Sequence, residues 1–299
     1  MQRLDPAGLY ELVGDAPGLD RPVLVQALDG FVDAGSATSL ARAHLLSSLE
    51  SSVVARFDID QLHDYRARRP PMLFVGDHWE SYTAPDLALH RVVDEVGTPF
   101  LLLAGPEPDV QWERFTAAVQ QLVEHYGVRL TIGLNAIPMG LPHTRPVGVI
   151  AHSSDPGLIS GYEPWVGTVQ VPGSAGHLLE YRLAQAGHAS AGFAAHVPQY
   201  VSAAEFPAAS VVLLREVAKM GGLSLPLTEL EAAAVRTREA LDEQVAGSPE
   251  VAAVVQALEN QYDAFVGGRG RSLLDEGQLP SADELGAELE RYLAERTDP

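Results

Sequence analysis

The sequence predicts an α/β fold built on a mainly parallel, doubly wound sheet and followed by a helical extension. Three observations carry this expectation. Short apolar runs of strand length alternate with helical patterns through roughly the first 220 residues. Several of these runs are apolar at nearly every position, as strands buried on both faces are. After Gly221-Gly222-Leu223-Ser224-Leu225-Pro226 the alternation stops and only helical spacing remains. The chain therefore divides into an α/β domain over residues 1–225 and, over 226–299, a C-terminal helical hairpin with a terminal helix.

The first strand is Val23-Leu24-Val25-Gln26-Ala27-Leu28, which runs into the turn Asp29-Gly30-Phe31-Val32-Asp33-Ala34-Gly35. Ser36 is the expected N-cap of a helix over 37–49. Further strands are expected at 53–57, 100–104, 129–134, 147–150 and 192–197, while 72–82 reads as a hairpin arm. Helices are expected at 86–96, 175–186 and 207–220. The clearest helix places Trp112, Phe115, Val119, Leu122 and Tyr126 on one stripe that stops at Gly127. In the extension, Thr228 with Glu231 and Ser281 with Glu284 form capping-box patterns, and Ser248-Pro249-Glu250 is another helix start. Apolar stripes at Leu227, Leu230, Ala234, Leu241 and Val245, and at Val251, Val254, Leu258, Tyr262 and Phe265, predict the two faces of the hairpin. Gly267-Gly268-Arg269-Gly270-Arg271 then links to a last helix at 282–295.

Composition bounds the function. The 299 residues carry 20 Lys and Arg against 40 Asp and Glu, a net charge of -20. Phosphate backbones are held by clustered basic residues, so nucleic acid is not an expected partner, whereas a protein with a basic surface is. No apolar run approaches membrane-spanning length and the first residues lack a signal-peptide core, so a cytoplasmic location is expected. The absence of cysteine removes disulfides, thiolate nucleophiles and zinc–cysteine sites. Lys219 is the only lysine, and it falls within a helical pattern.

In open α/β sheets, ligands bind beyond the carboxyl ends of the strands. The strand ends lead into Asp29 and Asp33; into Gly105-Pro106-Glu107-Pro108-Asp109; into Asn135 and Pro142-His143-Thr144-Arg145-Pro146; and into Pro198-Gln199-Tyr200. Asp33, Glu107, His143, Arg145 and Tyr200 form a candidate acid–base and anion-binding group, since imidazole and carboxylate move protons and a guanidinium holds an anion. The same residue types at strand ends also cap helices, bind loop backbone and form interface ion pairs. The glycine-rich turn has neither G-x-G-x-x-G nor a P-loop ending, no serine lies in G-x-S-x-G, and no histidine pair has H-E-x-x-H spacing. No cofactor and no metal are therefore expected.

The succession of Asp29-Gly30-Phe31-Val32-Asp33-Ala34-Gly35, Gly105-Pro106-Glu107-Pro108-Asp109 with Trp112 and Phe115, Pro142-His143-Thr144-Arg145-Pro146 and His196-Val197-Pro198-Gln199-Tyr200 resembles the PAC2 family. These are the bacterial and archaeal relatives of eukaryotic proteasome assembly chaperone 2. The resemblance implies a fold similar to the phosphorylase/hydrolase-like class, a helical C-terminal extension and homo-oligomers. It implies a non-enzymatic assembly chaperone or scaffolding protein, with proteasome subunits or another protein of basic surface as partner. The alternative is a small-molecule hydrolase or transferase acting on an anionic substrate at the strand C-terminal edge. There Arg145 would orient the anion, His143 would serve as acid or base, and Asp33 or Glu107 would be its carboxylate partner.

Overall fold

The structure, a computed structural model, describes residues 4–14, 16–30, 32–162 and 167–267. Phe31, the link from Gly268 onward, the Ser281 and Glu284 capping pattern and the helix expected at 282–295 lie outside these residues.

Side-chain alternation along the first long strand, β2 (Val23–Asp29), accounts for the layers. Val23, Val25 and Ala27 pack on one face of the sheet and Leu24 and Leu28 on the other, all buried. A strand apolar on both faces requires cover on both. Helices α1 (Ala37–Ser48) and α4 (Pro207–Gly221) supply it on one side through Ala37, Ala41, Leu45, Leu213, Leu214 and Val217. On the other side α2 (Trp112–His125) and α3 (Ala175–Gln185) do so through Phe115, Val119, Leu122, Leu179 and Leu183. The sequence stripe of α2 is thus its buried face.

The centre of the sheet is parallel: β7 (Pro99–Pro106), β2, β8 (Leu130–Met139) and β10 (Ser190–Pro198) run side by side in one direction. Antiparallel strands extend both edges. These are β6 (Ala88–Val93), β3 (Ser51–Phe57) and β1 (Tyr10–Leu12) beyond β7, and β9 (Val149–Ser153) beyond β10. The order is β1-β3-β6-β7-β2-β8-β10-β9. Two further strands, β4 (Met72–Val75) and β5 (His78–Tyr82), form a hairpin of their own, as the sequence suggests. Leu230 of α5 (Thr228–Ala246) joins the core beneath α4, and α6 (Pro249–Gly267) packs on α5. Among the described residues no helix is long and apolar enough to cross a membrane.

Three local expectations are corrected. Residues expected as a helix at 86–96 instead form β6, which pairs with β3 and β7 and turns directly into β7. Asp94 holds that turn by accepting the N–H groups of Val96 and Thr98, and Gly97 completes it at φ 91°. Tertiary pairing on both edges overrides the local pattern. Ser36 precedes α1 but its side chain makes no cap; the capping group is Asp33. Thr228 lies inside α5, with Leu227 at the cap position and no side-chain cap bond.

The turn before α1 requires its second glycine. Gly35 adopts φ 66°, and a Cβ there would sit 2.7 Å from Cβ of Phe206 at the start of α4. A side chain would be strained and would clash. Bare backbone lets α1, α4 and the sheet close on one another.

Three histidines tie stability to pH. Burial holds His90, His177 and His196 below the ordinary imidazole value of 6.5. The unfolded chain therefore takes up protons first as pH falls, so the stability present above 6.5 is lost toward the lower folded values. Thermal melts should show a lower Tm at about pH 5.5 than at about pH 7.5; an unchanged Tm would contradict the burial of these rings.

Candidate functional site

The five residues read from the sequence follow β2, β7, β8 and β10, so the topology puts all of them at the carboxyl edge of the parallel strands. Their side chains divide into two groups. Asp33 Oδ1 accepts the Thr38 N–H at 2.7 Å and Oδ2 the Ser39 N–H at 3.0 Å. The Ser39 hydroxyl lies 2.6 Å from Asp33 and 2.9 Å from Asp29, whose carboxylate also pairs with Arg42. A carboxylate here satisfies the orphan amides of α1 and complements the helix dipole. Asp33→Ala should cost about 1–2 kcal/mol in a denaturant titration; no measurable loss would show that the cap is dispensable.

Glu107 does the same for α3. Its Oε1 accepts the Ala175 N–H at 2.5 Å, while its own N–H donates to Asp29 O at 3.1 Å, tying β7 to β2. This nearly buried side chain also borders a cavity of about 350 Å³ between the sheet and the start of α3.

His143 and Tyr200 bond to each other, Arg145 follows His143 on the same loop, and the further partners of His143 and Arg145 lie on α5 and α6. The His143 N–H donates to the Tyr200 hydroxyl at 2.7 Å, and that hydroxyl lies 2.6 Å from His143 Nδ1. Burial pushes Tyr200 up to about 12, so the phenol keeps its proton. It donates that proton to Nδ1, which places the ring hydrogen on Nε2, 3.1 Å from Asp242 Oδ1 of α5. Next along the loop, Arg145 forms a two-pronged pair with Asp263 of α6 at 2.8 and 2.6 Å and reaches Glu259 at 3.1 Å. Asp263 is held below the usual carboxylate range by this guanidinium. The Thr144 hydroxyl also bonds to Glu259. Glu259 and Asp263 are one helical turn apart and so face the loop together. The cluster clasps the extension to the α/β body. Among the described residues no group of three or more His, Asp or Glu side chains is disposed to hold a metal ion.

Elsewhere among the described residues, the β4–β5 arm carries a contiguous run of exposed apolar side chains. Gly76 at φ 60° opens its two-residue turn, as a type II′ hairpin requires. Met72, Leu73, Phe74 and Val75 are consecutive and therefore point to alternating faces, yet each is 41–53% exposed. Trp79 is 63% and Tyr82 49% exposed. Among the described residues the body covers neither face. Phe74 and Trp79 stack edge to face at 5.1 Å, the arm's own internal contact. A two-stranded hairpin is marginal in water by itself, and four successive exposed apolar residues have no folding use. Asp77 and Glu80 are its charged residues.

The PAC2 family model matches residues 27–245. The chain belongs to the PAC2 family. A Mycobacterium tuberculosis protein of unknown function is 52% identical, with a TM-score of 0.85 over 89% of this chain and 95% of that one. A Corynebacterium glutamicum protein of unknown function is 40% identical, with a TM-score of 0.84 over 87% and 99%. A Mycobacterium tuberculosis proteasome-assembly chaperone homologue is 26% identical, with a TM-score of 0.72 over 78% and 99%. No functionally curated protein matches the chain. These PAC2 relatives share the large, mostly parallel central sheet flanked by helices.

Sequence reasoning missed the polar lining of the cavity, which includes Gln26, His152, His177 and Glu180. The available signal is the small or polar side chain at alternate positions of three neighbouring strands: Gln26 on β2, Gly133 and Asn135 on β8, Gly192 and Ala194 on β10.

Proposed function

We propose that this PAC2 protein is a non-enzymatic assembly chaperone or scaffolding protein of the proteasome-assembly type, which docks a subunit through the β4–β5 arm. The exposed arm is the observation that carries the proposal, since contiguous apolar surface of this kind marks protein contact. Similarity to a proteasome-assembly chaperone homologue suggests the kind of partner. The charge of -20 favours a basic partner surface and steers encounter with it. In this reading Asp33 and Glu107 are helix caps and His143, Arg145 and Tyr200 are a clasp, rather than acid–base machinery for an anionic substrate. Arg145 already has two carboxylates. The homo-oligomer implied by the resemblance belongs to the same proposal, and light scattering of the full chain tests it.

The main test is native mass spectrometry of the purified chain mixed with proteasome α subunits of its own host. A complex weakened by salt is expected, because charge steers it. Absence of any complex at about 100 μM, where even weak transient partners associate, would overturn the proposal.

A further inference from the structure

The cavity beside Glu107 is formed by omission on one face of the sheet. On the α1–α4 face, β8 and β10 fill space with Ile132, Leu134, Phe193 and Ala195. On the α2–α3 face, Gly133, Asn135 and Ala194 leave it open, and polar side chains enter. A Cβ on Gly176 would lie 2.6 Å from Gln26 Nε2, and one on Gly133 would lie 3.1 Å from Gln26 Oε1. Likewise, a Cβ on Gly192 would meet His152 Nε2 at 2.3 Å. Three bare backbone positions thus make room for one amide and one imidazole.

Gln26 is the informative group. It stands between Leu24 and Leu28 on the inner face of β2, is 7% exposed, and lines the cavity, its side-chain amide making no hydrogen bond to another described side chain. An amide that opens onto a cavity offers its donors and its acceptor to whatever enters. Its neighbours are already engaged. His152 Nε2 pairs with Glu180 at 2.9 Å, the Ala175 N–H is taken by Glu107, and the His177 N–H by Ser174. Burial and the adjacent His152 keep His177 below the ordinary imidazole value, so it is a neutral ring at pH 7. The remaining walls are largely apolar, including Leu28, Val32, Ile137 and Pro138.

We infer that this cavity is a binding site for a small, planar, uncharged molecule bearing a carboxamide-like edge, which Gln26 meets through paired donor and acceptor bonds. A primary amide offers one acceptor and two donors side by side, the complement of a second amide edge. Charge selects against anions. Glu107 and Glu180 line the cavity, and neither Lys nor Arg is among its described lining residues. The volume falls at the small end of ligand pockets and suits a single substituted ring. This site is separate from the docking arm and does not depend on it.

Benzamide and benzoate, which share ring and size but differ in charge, are the probes. In a titration followed by ¹H–¹⁵N NMR on the full chain, benzamide should shift the Gln26 side-chain amide saturably. A dissociation constant near ~1 mM or tighter is the range for a fragment of this size. Benzoate should bind at least ~10-fold more weakly, since it would place a third negative charge beside two carboxylates. Gln26→Leu, close in volume and without the amide, should still fold and lose benzamide binding by at least ~10-fold. If that variant fails to fold, the wild-type shift at Gln26 and the benzoate comparison decide alone. No saturable shift at Gln26 up to about 10 mM benzamide, equal binding of benzoate, or undiminished binding to a folded Gln26→Leu protein would each overturn the inference.

Discussion

Serine at both Phe74 and Trp79 is expected to leave the fold intact and to weaken capture of an α subunit by about 100-fold or more. Both side chains are more than half exposed, and their shared contact lies within the arm. Surface substitutions of this kind move stability by about 0.5 kcal/mol, so the Tm should stay within about 2 °C. Large aromatic side chains at the centre of an interface contribute about 2 kcal/mol or more each when truncated. The pair therefore separates fold from function. Native mass spectrometry and a thermal melt on the same preparation check both halves, and undiminished capture with an unchanged melt would rule out the arm as the docking surface.

The second large effect is on the clasp. Tyr200→Phe removes the oxygen that accepts the buried His143 N–H at 2.7 Å and the proton that its hydroxyl gives to Nδ1. An unsatisfied buried N–H costs about 1–3 kcal/mol. Loss of the donor to Nδ1 also frees the ring tautomer that presents Nε2–H to Asp242, so the total should reach about 2–3 kcal/mol. Hydrogen exchange in α5 and α6 should accelerate, because this contact joins them to the body. A circular-dichroism melt reads the loss as a Tm lower by about 5 °C; a shift under about 1 °C would show that the clasp carries little stability.

Much of the fold is legible because local pattern and tertiary role agree. The Val23 to Leu28 run is buried on both faces, the α2 stripe faces the core, and the exposed arm shows as four successive apolar residues before Gly76. β6 is illegible because its pairing with β3 and β7 is supplied by distant strands, and nothing in its own spacing requires it. Residues of the candidate site can be named from the sequence but not assigned roles. The partners that define those roles, Asp242, Glu259 and Asp263, are about a hundred residues away from His143 and Arg145. By residue type alone, Asp33 suggests an acid or base and Ser36 a cap. The conformation of Ser36, at φ 51°, leaves capping to the carboxylate three positions earlier. Gln26 is hidden for a different reason: one polar side chain in an apolar strand has no meaning until the glycines opposite it are placed across the sheet.

The docking proposal is tested most directly by hydrogen exchange of backbone amides in residues 71–83, compared between the free chain and the chain saturated with host proteasome α subunits. The arm is open to solvent on both faces in the free protein. Its amides should exchange rapidly there and slow by at least ~100-fold in the complex, more than any segment of the central sheet. A complex in which 71–83 exchange as fast as in the free chain, with protection appearing elsewhere, would contradict the account.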